Sequence, residues 1–264
     1  MSPTTLTAIT FDFWDTLVHA PREVANREVK TKHLGDALAE AGLHATTPMI
    51  EAAIDEVRRA FDRSWSGNRQ FHAEDAVDVL LKCLADDAAD VGPAHRAALV
   101  RIVRGDDRLV PSLTPNIADT LRRLKERDVR LGIICDVGFA PSPVLRGHLR
   151  HHGVLDLFDH WSFSDEVGAY KPHAAIFRHA LDGLGIDDPG QAAHVGDLRR
   201  TDVAGARACG MVSVRYTGSN DDDGIPVDGD RARPGASELD HADHIEADHV
   251  LADHAELPTL LGIT

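Results

Sequence analysis

Residues 192–215, AAHVGDLRRTDVAGARACGMVSVR, decide the fold. Residues 192–196 (AAHVG) are short, small and apolar, as a buried strand is. Residues 201–209 read as a helix that Gly210 stops, and residues 211–215 (MVSVR) read as the next strand. A parallel strand pair needs a crossover connection, usually a helix, so this stretch predicts one βαβ unit. Upstream the alternation continues. Residues 116–128 (NIADTLRRLKERD) read as helix, 130–135 (RLGIIC) as strand, 141–152 as helix, 160–163 (HWSF) as strand and 172–184 as helix. Repeated βαβ units give a parallel sheet covered on both faces. Right-handed crossovers then make it a doubly wound, Rossmann-like sheet.

One strand of this α/β core stands apart. Residues 7–12 (TAITFD) read as a buried strand, yet about 90 helical residues separate them from the rest. Within that stretch Ile50, Ile54, Val57 and Phe61 fall on one helical face, and Val77, Leu80, Leu81 and Leu84 on another. Gly42, Gly67, Pro93 and Gly105 punctuate it. The expectation is an α/β core over residues 1–18 and 112–264, with an all-helical domain inserted at 19–111. Residues 219–256 hold twelve Asp and Glu against two Arg, and residues 219–247 are expected to be an exposed acidic loop within the core. Residues 248–261 (DHVLADHAELPTLL) read as a returning last strand and helix.

Composition narrows the function. The formal charge of −15 argues against nucleic acid as a general partner, because phosphate backbones select Lys and Arg. A small anionic substrate remains compatible, since one pocket can be locally positive. Cys83, Cys135 and Cys209 are odd in number and widely spaced, which fits a reducing compartment rather than a disulfide framework or structural zinc. The N-terminal residues lack a basic segment followed by an apolar run, and no run approaches the ~18 apolar residues of a membrane helix. A cytoplasmic protein with no membrane partner is the expectation.

Ligands of parallel sheets bind beyond the carboxyl ends of the strands. Asp12, Trp14, Asp15 and Thr16 follow the first strand, and Cys135 and Asp136 end the second. Asp165, Glu166 and Lys171 follow the third, and Asp197 and Asp202 follow the fourth. Carboxylates gathered with one lysine suit a hard cation plus a phosphate-like anion.

These segments resemble, in order, the four motifs of the haloacid dehalogenase-like superfamily. FDFWDTLV (11–18) resembles its Asp-x-Asp-x-Thr motif, and IICDVG (133–138) the apolar run that ends in Ser or Thr. YKP (170–172) resembles the lysine motif, and HVGDLRRTDVAGARACGM (194–211) the GD motif with a second Asp. The inserted helices resemble the helical cap of one large subclass. The resemblance implies a hydrolase, a phosphatase above all, with Asp12 as covalent nucleophile. It implies Mg2+ held by Asp12, the backbone carbonyl of Trp14 and Asp197, with Asp202 ordering the site beside the metal. Lys171 would neutralise charge, and Thr16 and Cys135 would steady the transferring oxygens.

Three positions depart from the pattern. Trp14 stands where the phosphatases carry a second Asp, the acid that protonates the leaving group; such a group is typically worth ~10²–10⁴-fold. Asp15 stands where Gly is usual, and Cys135 replaces Ser or Thr. Cys135 is read as a small strand-end residue, because no motif sets a His beside it. These departures leave open a 2-haloacid dehalogenase-like or phosphonatase-like C–X hydrolase, for which Lys30, Lys32 and Lys82 are the lysines of the helical insert. They also leave open a catalytically weakened metabolite-binding or regulatory protein. The Asp-His pairs at 240–241, 243–244, 248–249 and 253–254 match no single helical face and are read as solvated.

Overall fold

The computed structural model describes residues 6–19, 24–84, 91–105, 110–219 and 245–263. They divide into two compact units, Met1–Ala20 with Pro111–Asp136 and Arg146–Thr264, and Pro21–Val110 with Val137–Leu145. The second unit therefore takes in Val137–Leu145, which the sequence reading had given to the core.

Among the described residues the first unit has eight strands: β1 (Ala8–Phe11), β2 (Val18–His19), β3 (Ser112–Leu113), β4 (Arg130–Cys135), β5 (His160–Phe163), β6 (Ala192–Gly196), β7 (Val212–Tyr216) and β8 (His249–Leu251). Six of them form one sheet in the order β5-β4-β1-β6-β7-β8, and every neighbouring pair is parallel. The chain steps outward from β1 through β4 to β5, then returns to the other side of β1 and steps outward again through β6, β7 and β8. The winding direction reverses between β1 and β6. Ligands of doubly wound sheets bind at that crevice. β2 and β3 pair antiparallel just beyond it, a two-residue ribbon too short to leave a sequence signal.

Burial explains the central strands. Ala8, Ile9, Phe11, Leu131, Ile133, Ile134, Ala192, Ala193 and Val195 are all fully buried, so both faces of the sheet are covered and the strands read as continuous apolar runs. Gly132 sits in close contact: a Cβ there would lie 3.0 Å from Leu184 and 3.1 Å from the methyl of Thr10, so both side chains would have to give by a few tenths of an ångström.

Among the described residues there are ten α-helices: α1 (Val24–Glu40), α2 (Thr47–Ser66), α3 (Ala73–Leu84), α4 (Pro93–Arg104), α5 (Ile117–Lys125), α6 (Ser142–His151), α7 (Ser164–Val167), α8 (Ala174–Gly183), α9 (Ala204–Ala208) and α10 (Leu257–Leu260). The helix expected over 201–209 starts earlier and differently: Arg199–Val203 is a π-helical turn, and regular α-helix begins only at α9. Such turns recur at functional sites.

The second unit is all helical. α1 to α4 pack around Leu34, Leu38, Ile50, Val57, Leu80, Leu81 and Leu99. With Phe139 they line an open cavity of about 290 Å³, walled by apolar side chains such as Leu34 and Phe61 and by the charged Lys30, Arg58 and Asp62. The acidic loop expected at 219–247 falls mostly on residues 220–244, outside the described residues. Beyond it β8 and α10 supply the expected last strand and helix. No helix among the described residues is long and apolar enough to cross a membrane.

Candidate active site

β1 delivers Asp12 to the switch point. The Asp12 N–H donates to Val195 O at 2.8 Å, so the residue leaves the sheet already anchored to β6. β6 ends at Gly196 and hands the chain to Asp197. From the π-helical turn Asp202 reaches back: a Cβ on Gly196 would overlap its carboxyl carbon, so only glycine lets the two approach. Lys171 enters between the carboxylates. Its backbone N–H donates to Asp136 Oδ1 at 2.8 Å, which pins the segment that carries it.

Lys171 Nζ donates to Asp12 Oδ1 and, at 2.7 Å, to Asp202 Oδ1. Carboxylate oxygens of Asp12, Asp197 and Asp202 lie within 4.8 Å of one another, and all three residues are buried. Three carboxylates therefore face one ammonium in a low-dielectric pocket. Asp202 is the best satisfied. Besides Lys171 it accepts from His194 Nε2 at 3.0 Å, from Leu198 N at 3.1 Å and from Thr201 Oγ1 at 3.3 Å. Burial alone would raise its pKa, but the Lys171 charge and the His194 hydrogen bond outweigh it and hold the group below the usual carboxylate range.

Asp12 and Asp197 go the other way. Burial pushes Asp12 up to about 7; Lys171 opposes the rise and Asp202 adds to it. Burial, then the charges of Asp12 and Asp202, raise Asp197 well above its ordinary value. Lys171 is lowered by burial but raised further by Asp12 and Asp202, so it stays an ammonium. This is a cluster short of positive charge. A divalent cation would meet two oxygen-bearing groups, Asp12 and Asp197, whose neutralisation the protein leaves incomplete.

The remaining predicted residues are placed as follows. Thr16 is fully buried; its carbonyl accepts from Thr114 Oγ1 at 2.7 Å and from His254 Nε2 at 2.9 Å. Its own hydroxyl has no hydrogen-bond partner among the described residues. Cys135 is fully buried at the end of β4, and burial followed by the Asp12 charge pushes its thiol far up, so it remains a thiol. Trp14 is half-buried, with its ring edge against Phe13 at 5.2 Å. Asp15 adopts a left-handed φ of 56° and engages His19 Nδ1 at 2.9 Å. Glu166 is drawn away by a bidentate pair with Arg146 at 2.6 and 2.7 Å.

Sequence reasoning missed His194, Thr10 and His254. A histidine inside a buried strand was the available signal for the first. Of the Asp-His pairs, 240–241 and 243–244 lie outside the described residues. Asp248 binds Ser213, Asp253 caps the turn at Ala255, and His254 is core.

Comparison with known proteins agrees with this geometry. A family model described as haloacid dehalogenase-like hydrolase matches residues 6–210, and a HAD-hydrolase-like model matches residues 169–257. The glyceraldehyde 3-phosphate phosphatase of Methanopyrus kandleri is 28% identical over 236 residues, covering 86% of this chain and 94% of its own. A HAD phosphatase from Thermococcus onnurineus superposes with a TM-score of 0.60 at 22% identity, over 97% of this chain and 98% of that one. The HAD-hydrolase YfnB from Bacillus subtilis, solved bound to magnesium, superposes with a TM-score of 0.61 at 16% identity, over 98% and 100%. These two structures share the fold. With a family model spanning most of its length and the motif residues gathered at one switch point, the chain belongs to the haloacid dehalogenase-like hydrolases.

Proposed function

We propose that this hydrolase is a Mg2+-dependent phosphatase of small phosphorylated metabolites, working through an aspartyl-phosphate on Asp12. The observation that carries the reading is the buried cluster of three carboxylates around one ammonium, Lys171 bonded to both Asp12 and Asp202. The named activity of the Methanopyrus kandleri relative points the same way.

Lys171 holds Asp12 Oδ1, which leaves Oδ2 to attack phosphorus. The new Asp12–phosphorus bond forms as the bond to the leaving oxygen breaks. Water then attacks phosphorus, the Asp12–phosphorus bond breaks, and the carboxylate returns as phosphate departs. Thr16 Oγ1, buried and without a partner among the described residues, is the donor for a phosphoryl oxygen. Cys135 offers only a weak S–H donor in place of the usual hydroxyl. Asp12, Asp197 and the Trp14 backbone carbonyl would hold Mg2+, while Asp202 has its acceptor sites filled and serves Lys171 instead. When bound, the ion supplies the positive charge that screens an anionic substrate from an anionic nucleophile.

Trp14 cannot protonate a leaving oxygen, because its indole N–H is a donor without acidity in this range. Asp15 is engaged with His19. Aryl and acyl phosphates, which leave without a proton, are therefore expected to outrun alkyl phosphates such as glyceraldehyde 3-phosphate by roughly 10²-fold or more in kcat. Phosphate release from a panel containing both classes measures this; equal rates would contradict it. Asp12→Asn is expected to abolish Mg2+-dependent turnover, and unchanged turnover would refute the reading. Halide release from 2-haloacids without metal would move the assignment to dehalogenation. Metabolite binding by calorimetry with no turnover of any panel member would make the chain a binding protein.

A further inference from the structure

We propose that His194 is a positioning residue of this active site, fixing through Asp202 the direction in which Lys171 holds Asp12. The inference rests on the reading of Asp12 as nucleophile.

The residues form one continuous buried chain. Thr10 Oγ1 and His194 Nδ1 are 2.9 Å apart, His194 Nε2 and Asp202 Oδ1 3.0 Å, and Asp202 Oδ1 and Lys171 Nζ 2.7 Å; Lys171 then reaches Asp12. None of the five is more than 7% exposed. Proton positions follow from the inventory of donors. Asp202 is ionised and can only accept, so His194 Nε2 carries the hydrogen. Nδ1 then presents a lone pair, and the Thr10 hydroxyl donates to it. The competing acceptor for that hydroxyl, Ala193 O, lies farther away at 3.3 Å. The tautomer is set by partners on both sides of the ring.

Lysine needs this help more than arginine would. Its ammonium is a compact point charge on a flexible stem, with no planar fork to fix its approach. Its direction is therefore that of its acceptors. Asp202 Oδ2 is tied to Leu198 N and Thr201 Oγ1, both within its own turn. Oδ1 is tied to the sheet by His194 alone among the described residues. Without that bond the carboxylate keeps its charge but can rotate, and Lys171 turns with it. The strand register makes the link rigid. Thr10 and His194 are direct partners across β1 and β6, and His194 and Gly196 lie on the same face of β6, two residues apart, where Gly196 leaves the room that Asp202 occupies.

A His here could also merely fill space, since its ring packs edge-on against Phe177 at 5.3 Å. The test separates the two roles in the full-length protein at saturating Mg2+, with an aryl phosphate as substrate, by reading kcat, KM and thermal midpoint together. His194→Leu keeps the bulk and removes the donor; kcat is expected to fall ~10–100-fold with KM changed less than about 3-fold, the effect of a misdirected group. His194→Gln restores an amide N–H near the Nε2 position and is expected to recover kcat to within about 5-fold of wild type. Thr10→Val keeps the shape of a β-branched strand residue and removes the hydroxyl; a kcat loss of about 2–5-fold with an unchanged midpoint is expected. The proposal is overturned if His194→Leu retains wild-type kcat, or if Leu and Gln variants lose activity equally and in step with their midpoints. If His194→Leu does not fold, Thr10→Val decides, and unchanged kcat there overturns the proposal. Asp12→Asn run alongside separates the failures. If it is inactive while His194→Leu is fully active, only the positioning role is lost; if Asp12→Asn is itself active, the nucleophile assignment goes.

Discussion

Gly196 and Lys171 show how little tolerance the site has at the level of single residues. Any Cβ at position 196 would occupy the space of the Asp202 carboxyl carbon. Gly196→Ala must push Asp202 away, at an overpacking cost of about 1–3 kcal/mol. The displaced carboxylate takes Lys171 with it. A kcat loss of roughly 10²-fold is expected, since misplacements of about 1 Å cost that much. A variant with wild-type kcat would show that Asp202 does not need its present position. Lys171→Met is the harsher change, because it leaves three buried carboxylates with no ammonium. Removing one partner of a buried ion pair typically costs about 3–5 kcal/mol. Urea unfolding of the metal-free variant should show a loss of that order, and added Mg2+ should recover part of it. A Lys171→Met protein as stable as wild type without metal would mean that the carboxylates are not ionised together.

At the scale of elements, what could be read in the sequence is what has a period or a fixed spacing. The strands at 130–135, 160–163 and 192–196 were legible to the residue because they are short apolar runs between helices. Asp12, Lys171, Asp197 and Asp202 were legible as a group because each follows a strand end. The β2–β3 ribbon was not, since two residues carry no alternation. The π-helical turn at 199–203 was not, since its extra residue is inserted where Asp202 turns back onto Leu198 N, a tertiary requirement invisible to helical periodicity. The grouping of Val137–Leu145 with the helical unit was missed for a similar reason. Phe139 packs tilted on Phe61 at 5.4 Å and edge-on to Phe71 at 6.2 Å, aromatic contacts that local pattern does not encode. The Asp-His pair at 253–254 reads as solvated, yet His254 is fully buried, stacked on Tyr216 at 4.0 Å and bonded to Thr16 O. Burial pushes its pKa down to about 4. Its folded value lies below its unfolded value of about 6.5, so the unfolded chain gains a proton first as pH falls. His254 therefore costs stability progressively between about pH 6.5 and pH 4. In saturating Mg2+ the denaturation free energy is expected to decline over that window, and His254→Phe should flatten the decline. An identical slope in the variant would assign the acid limb to other groups.

For the molecule as a whole, the carboxylate cluster gives the metal-free protein a pH dependence of opposite sign. Burial raises Asp12 to about 7 and Asp197 well above its ordinary value, so the folded state keeps protons that the unfolded chain has already lost. A raised carboxylate pKa contributes stability that is present below the unfolded value near 4 and lost as pH climbs through the folded value near 7. The metal-free protein should thus lose stability between about pH 4 and pH 7 from Asp12, with Asp197 acting in the same direction, on top of the self-repulsion of a chain carrying −15 overall. A divalent cation reverses this, because it binds the ionised form and competes with the protons. At a free concentration of 100 Kd it adds about 2.7 kcal/mol to the folded state. For a unit of this size that corresponds to a rise in thermal midpoint of about 5–10 °C. The rise should be large at pH 8 and small at pH 5, where protons already occupy the site. It should vanish in Asp197→Asn, which removes one carboxylate without touching Lys171 or Asp202. Scanning calorimetry at both pH values, with and without Mg2+, reads all four conditions. An equal shift at both pH values, or one that survives Asp197→Asn, would place the cation elsewhere on this acidic molecule and leave the buried carboxylates without their counter-ion.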